Sequence, residues 1–247
     1  MPATTKTFFG GKKSKPQIIS DESGFFGAEL FLLFLIGELD RSVYFCTVTK
    51  AEKTKEFIIA KAAPLFNKKG YAGTSMSDIM KATGLAKGGL YGNFESKDEI
   101  AALAFEYSYN QLKEDIGQKV RAKKTGVEKL LAILQYHKNY TTSSPIEGGC
   151  PLMNTAIDAD DAYPFLKKKA RQALQEMLGS LQHILKLGIQ EGSFRSDLNV
   201  KKEAELIFAQ IEGGIMMAKV LDDVTVLNRL IDNLKYRMET EYMDLLK

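Results

Sequence analysis

The stretch ATGLAKGGLYGNF, residues 82–94, sets four glycines among thirteen residues, between segments that both read as helices. An interior glycine costs a helix roughly 0.8–1 kcal/mol relative to alanine. Gly84, Gly88, Gly89 and Gly92 therefore mark either a loop or a place where something approaches the backbone closely. A phosphate-binding loop needs Gly-x-x-x-x-Gly-Lys-Ser/Thr, and here Gly84 and Gly89 lead into Leu90-Tyr91. A dinucleotide fingerprint needs Gly-x-Gly-x-x-Gly after a strand, whereas Gly88-Gly89-x-x-Gly92 follows a helix. What remains is a helix-turn-helix: a capped short helix, a turn at Gly84, and a second short helix whose small residues bring its backbone against DNA.

The flanks agree with that reading. Ser75-x-x-Asp78 is a capped start for the first short helix, with Ile79 and Met80 inside and Thr83-Gly84 closing it. The second runs from Lys87 to Tyr91. Before them Phe57, Ile58, Ala62, Leu65 and Phe66 form one helical stripe that Gly70 ends, with a kink or an early turn expected at Pro64. After them Ser96-x-x-Glu99 reads as a capping box opening a long helix through Ile100, Leu103, Ala104, Tyr107 and Leu112. Further helices are expected near 127–143, 152–159, 163–191, 201–221 and 224–246, and no alternating strand pattern of useful length follows residue 50. The fold class is all-α, with a three-helix helix-turn-helix DNA-binding domain over 51–97 and a helical domain over 98–247. Residues 1–50 form an atypical extension that reads either as disordered with one short helix or as the product of an upstream start codon, the ordered pattern beginning near Thr49.

Charge points the same way. Lys50 to Lys97 holds nine lysines and four acids, a local +5 in a chain of net +3, which suits a module that meets a polyanion. The two cysteines, Cys46 and Cys150, make no disulfide framework and imply a reducing, cytoplasmic setting. Neither histidine has metal-ligand spacing, so no metal or cofactor is expected. The apolar run Leu30 to Ile36 is far shorter than the ~20 residues of a membrane span. Asp21 and Glu22 before it, with no small-x-small cleavage site after, argue against a signal peptide.

Lys55 to Lys97, above all GYAGTSMSDIMKATGLAKGGLYGNFESKDEI, resembles the N-terminal DNA-binding domain of TetR/AcrR-type transcriptional regulators. Phe66, Gly70-Tyr71, Thr74, the Ile79…Ala82…Gly84 turn, Lys87-Gly88, Leu90-Tyr91, Phe94 and Lys97 fall in register. The resemblance implies that Lys87, Gly88 and Gly89 face bases and backbone, and that Tyr91 and Lys97 meet phosphates. It places Thr74 and Ser75 for phosphate contact at a helix N-terminus and puts Asn93 in the contact set. Ala86 departs from a frequent capping serine or threonine, and Asn93 from a frequent histidine or tyrosine. For residues 98–247 the resemblance implies a ligand-binding and dimerisation domain.

In that domain Val200, Ala204, Ile207, Phe208, Ile211, Ile215 and Ala218, with Gly213-Gly214, read as a pairing face. Val226, Leu227, Leu230, Ile231, Leu234, Met238 and Leu245 extend it, giving a homodimer through 200–246. Candidate ligand contacts are the aromatic pairs Phe105/Tyr109 and Tyr136/Tyr140, with Cys150 and Asn154. Asn154 and Asp158 either hydrogen-bond a ligand or cap their helix. Cys150, at a helix entry before Pro151, reads either as a reactive sensor with a lowered pKa or as a small buried cysteine. A thiol–imidazole enzyme using Cys150 with His137 or His183 lacks any acylating signature, so no catalysis is expected. The expected function is a one-component repressor released from a DNA operator by a small-molecule inducer or by thiol modification. The alternative is a dimeric DNA-binding protein without a ligand.

Overall fold

The computed structural model describes residues 49–138 and 140–243, so the expectations for residues 1–48, Cys46 included, and for Leu245 lie outside it. The N-terminal unit is three helices, α1 (Lys50–Gly73), α2 (Met76–Thr83) and α3 (Lys87–Tyr91), completed by the first turns of α4 (Lys97–Arg121). Each start has a physical cause. Thr49 and Glu52 form a reciprocal capping box on α1, and Ser75 and Asp78 do the same on α2. The Ser75 hydrogen bonds hold the Asp78 carboxyl well below its ordinary range. Gly84 ends α2 in the left-handed region at φ 69°, a conformation that a side chain would strain. Ala86 gives α3 no side-chain cap.

Two local expectations are corrected. Pro64 keeps helical backbone angles; the break in α1 comes at Gly70 (φ 71°, ψ 177°), where a Cβ would stand 2.9 Å from an Asp158 carboxylate oxygen. At α4, Ser96 accepts from the Glu99 N–H at 3.1 Å, but the Glu99 carboxylate reaches the N–H of Glu95 rather than that of Ser96. The cap is there; the reciprocal arm lands one residue early.

Ile58, Ala62, Ile79, Leu90, Phe94, Ile100 and Ala104 close the core of the small unit. Since Ile100 and Ala104 lie on α4, that helix belongs to both halves of the molecule. The larger half adds α5 (Gly126–Lys138), the short α6 (Tyr140–Ser143), α7 (Pro151–Asp158), α8 (Pro164–Gln190), α9 (Val200–Val220) and α10 (Val224–Arg237). A single π-helical turn, Met238–Tyr242, follows α10. Helix α5 packs on α4, α8 and α10, and α9 lies against α8 and α10. No strand forms among the described residues, only an isolated bridge between Phe194 and Met243. A third cluster, Ala101, Ala159 and Leu166 with Phe66 and Tyr71 against it, joins the two halves.

The apolar stripe read as a pairing face is the chain's own core. Ala204, Ile207, Ile211, Ile215 and Ala218 on α9, with Leu227, Ile231, Leu234 and Met238, are buried within the single chain, and Val200 and Phe208 pack on them. The outer faces of the same helices instead expose Leu206, Met216, Val220, Leu221 and Tyr236. The reason is arithmetic: a helix packed against its own chain has no spare apolar stripe of the same residues for a partner.

Candidate nucleic-acid interface and ligand cavity

At one end of the molecule α3 is presented with little of the chain around it. Lys87 and Gly88 are exposed, and a Cβ added at Gly88 would meet no other atom within 4 Å. Nothing inside the protein requires glycine there. At Gly89 a Cβ would only touch Leu85 at 3.4 Å. Tyr91 is 47% exposed, and the Lys87 ammonium stands 5.7 Å from its ring centre, so cation and phenol occupy one patch. Ser75 is exposed at the N-terminus of α2. Lys97 sits at the start of α4 with its ammonium 4.1 Å over the Tyr71 ring, and Tyr71 in turn donates its hydroxyl to Asp98. Burial and Asp98 together push that phenol up to about 12.

Two expected contacts point inward. Thr74 is fully buried and donates its hydroxyl to the Gly70 carbonyl at 2.8 Å, so it supports the α1–α2 corner and offers no hydroxyl to a phosphate. Asn93 donates its amide to the Gly89 carbonyl at 2.7 Å and thereby closes the end of α3.

The other half holds an apolar cavity of about 60 Å³ between α4, α5, α6, α7, α8 and α9. Leu112, Ile116, Ile133, Leu181, Ile184, Phe208, Ile211 and Ile215 supply most of its wall. Its polar groups are few: Tyr109, Lys113, His137, Tyr140, Cys150, Ser180 and Glu212. The Cys150 thiol donates to Glu212 Oε1 at 3.1 Å, while Glu212 Oε2 is buried without a partner. Burial raises the Glu212 carboxyl to about 7. Burial also lowers His137 to about 4, and its Nδ1 faces the Ile133 carbonyl at 2.8 Å.

A polar latch ties the cavity's rim to the small unit. Asn67 on α1 donates to the carbonyls of Glu147 and Gly149 at 2.9 and 3.0 Å. Asn154 on α7 donates to the carbonyls of Asn67 and Gly148 at 3.1 and 3.0 Å and to Asn67 Oδ1 at 3.0 Å. Asp158 accepts from the Tyr71 N–H at 2.6 Å. Cys150, which lines the cavity, directly follows the loop that Asn67 grips.

A short exposed helix after a capped glycine turn, above a helical bundle with an apolar cavity, matches a known architecture. The family profile described as bacterial regulatory proteins, tetR family, matches residues 58–104, and the tetracyclin repressor-like C-terminal domain matches residues 126–234. A TetR transcriptional regulator from Chloroflexus aurantiacus shares 36% identity, covering 78% of this chain and 98% of that one, with a TM-score of 0.76. One from Cytophaga hutchinsonii shares 36% identity over 81% and 98%, with a TM-score of 0.74. The chain belongs to the TetR family of transcriptional regulators. FadR from Bacillus subtilis, solved in complex with stearoyl-CoA, shares 25% identity over 72% of this chain and 96% of that one, with a TM-score of 0.59.

As a TetR-family chain it is a DNA-binding regulator whose family consists of transcriptional regulators rather than enzymes. No helix among the described residues is long and apolar enough to cross a membrane. Of the six expected ligand contacts, Tyr109, Tyr140 and Cys150 line the cavity. Phe105 lies instead at a small cleft beside Phe66, Asn67 and Tyr71. Tyr136 stacks at an angle on Tyr140, 5.8 Å between ring centres, without facing the cavity. Asn154 serves the latch, as does Asp158. The Cys150 thiol is not activated: burial first, and the Glu212 carboxylate second, push its pKa well up, against the lowering expected at a helix entry. Its partner is a carboxylate, not His137 or His183. Glu212 escaped the sequence reading, although a signal existed: an acid four residues from Phe208 and three from Ile215 sits within an otherwise apolar helical face.

Proposed function

We propose that this TetR-family protein is a cytoplasmic, homodimeric repressor whose operator affinity falls when an apolar effector enters the cavity behind α4. The observation that carries the DNA half is Gly88, a glycine in a helix with open space where its side chain would be, flanked by Lys87 and Tyr91. A helix gives up stability at such a site for a partner outside the chain, and a duplex edge is the partner that basic charge and a capped turn suit. Lys87 reads bases; Tyr91, Ser75 and Lys97 hold phosphates.

Dimerisation uses the outer faces of α9 and α10, where Leu206, Met216, Val220, Leu221 and Tyr236 are exposed. Gly213, with open space at its Cβ, lies on α9 beside them, whereas Gly214 is filled by Leu227 of the same chain. Two α3 helices then meet half-sites one helical turn apart or a multiple of it.

Coupling has two routes. Tyr109, Leu112, Ile116 and Val120 on α4 line the cavity, and the start of the same helix carries Ile100 and Ala104 in the small unit's core. The second route is the latch from Cys150 through the Gly148–Gly149 loop to Asn67. A cavity of about 60 Å³ is far below the ~300–1,000 Å³ of ordinary ligand pockets, so an occupant must move these walls. The effector's differential affinity for the two arrangements is the source of the switch. The stearoyl-CoA bound by the Bacillus subtilis relative supports an apolar effector class here. Selection from a random duplex library with the purified protein tests the DNA reading: a two-fold symmetric site is the expected product, and no enrichment over input overturns it.

A further inference from the structure

We propose that the cavity selects an apolar amine, whose ammonium is received by Glu212. This rests on the reading that the cavity holds the effector. The argument is an inventory of donors and acceptors along the wall. Tyr109 donates to the Ala173 carbonyl at 2.8 Å, Ser180 to the Glu176 carbonyl at 2.9 Å, and Lys113 to the Glu176 carboxylate at 3.0 Å. Cys150 donates to Glu212 Oε1. Those donors are therefore committed to acceptors within the chain. Two buried polar atoms of the wall have no partner: Glu212 Oε2 and the Tyr140 hydroxyl. With its carboxyl raised only to about 7, Glu212 is neutral in the empty cavity at lower pH and ionises beside a cation, when its free oxygen can only accept; the Tyr140 phenol can accept as well as donate. A charged donor is the partner that satisfies both atoms.

Charge narrows the class further. A carboxylate buried among isoleucines and leucines is costly without a compensating cation. The Lys113 ammonium is held by Glu176 and lies 5.3 Å from the Tyr109 ring centre. His137 is kept neutral by burial. An ammonium brought by the ligand balances Glu212. The remaining wall, Leu112, Ile116, Ile184 and Ile211 among it, suits a hydrocarbon body. An anionic head would meet Glu212 as a like charge.

The test uses n-hexylamine, n-hexanol and hexanoate, with calorimetric binding to the full-length protein and release of the selected operator as readouts. Hexylamine is expected to bind at least tenfold tighter than hexanol and to release the operator. Glu212→Gln is expected to abolish the preference, bringing hexylamine to hexanol's affinity or below. A wild-type ratio below tenfold, tighter binding of hexanoate, or a preference that survives in Glu212→Gln overturns the proposal, as does no binding of any of the three. The wild-type ratio alone decides the matter should the variant fail to fold. A protein that never binds a selected operator would instead sink the regulator reading, which the calorimetric ratio does not touch.

Discussion

The two ends of this molecule treat polar groups in opposite ways. Around α3, the groups assigned to DNA are displayed: Lys87 and Tyr91 lie open, and Gly88 faces empty space. Around the cavity, the polar groups are enclosed, and nearly all donors are tied to acceptors of the same chain. One end leaves a surface unfilled because a duplex can approach it from outside. The other leaves two buried polar atoms of its wall, Glu212 Oε2 and the Tyr140 hydroxyl, unfilled where the proposed effector would enter. The latch of Asn67, Asn154 and Asp158 lies between, tying α1 of the exposed end to α7 and the loop that leads into the enclosed one.

The largest effect that would sharpen this contrast is at Glu212. The folded state holds its proton up to about pH 7, the unfolded chain only to about 4.5. Between those values the native state binds more protons, so this group's stabilisation is present at low pH and is lost as pH rises toward 7. Glu212→Gln removes the penalty. It should raise stability by about 3 kcal/mol above pH 7, the gain shrinking toward zero as pH falls to about 4.5. Thermal unfolding across that range measures it; a pH-independent difference would show that the carboxyl is not desolvated as described.

The next effect is at the latch. Asn67→Ala removes two donated hydrogen bonds and the one it accepts, and leaves the Gly149 and Glu147 carbonyls without that donor. A loss of about 2 kcal/mol is expected, together with a weaker effector response at unchanged effector affinity. Denaturant titration and operator release measure the two parts. An unaltered response would leave α4 as the sole route between the ends.

The smallest effect is at Lys97. Lys97→Ala should weaken binding about equally on all duplexes and reduce the slope of log affinity against log salt by about 1. A slope identical to wild type would make Lys97 a packing partner of Tyr71 and nothing more.

The same contrast explains what could be read from sequence. The small unit is governed by local chemistry: caps at Ser75 and Ser96, a left-handed Gly84, and a five-residue α3 whose limits the glycines and Tyr91 already marked. Such signals act over three or four residues, so a linear reading captures them. Thr74 was misread because its side-chain direction depends on how α1 breaks at Gly70, which the pattern of residue types does not encode. The cavity is assembled from six helices, and its residues come together only through their packing. Aromatic pairing found Tyr109 and Tyr140 but also chose Phe105 and Tyr136, since spacing places residues on one face without saying what that face meets. The stripe on α9 showed the same ambiguity, and the chain's own core claimed it.

The central claim is that Gly88 is glycine for the sake of a partner outside the chain. Gly88→Ala tests it most directly, with thermal stability and operator affinity measured on the same preparation. Alanine meets nothing in the free protein and favours the helix by about 0.8–1 kcal/mol, so the account predicts a higher melting temperature together with operator binding weakened at least tenfold. Operator affinity equal to wild type in a stabilised protein would contradict it.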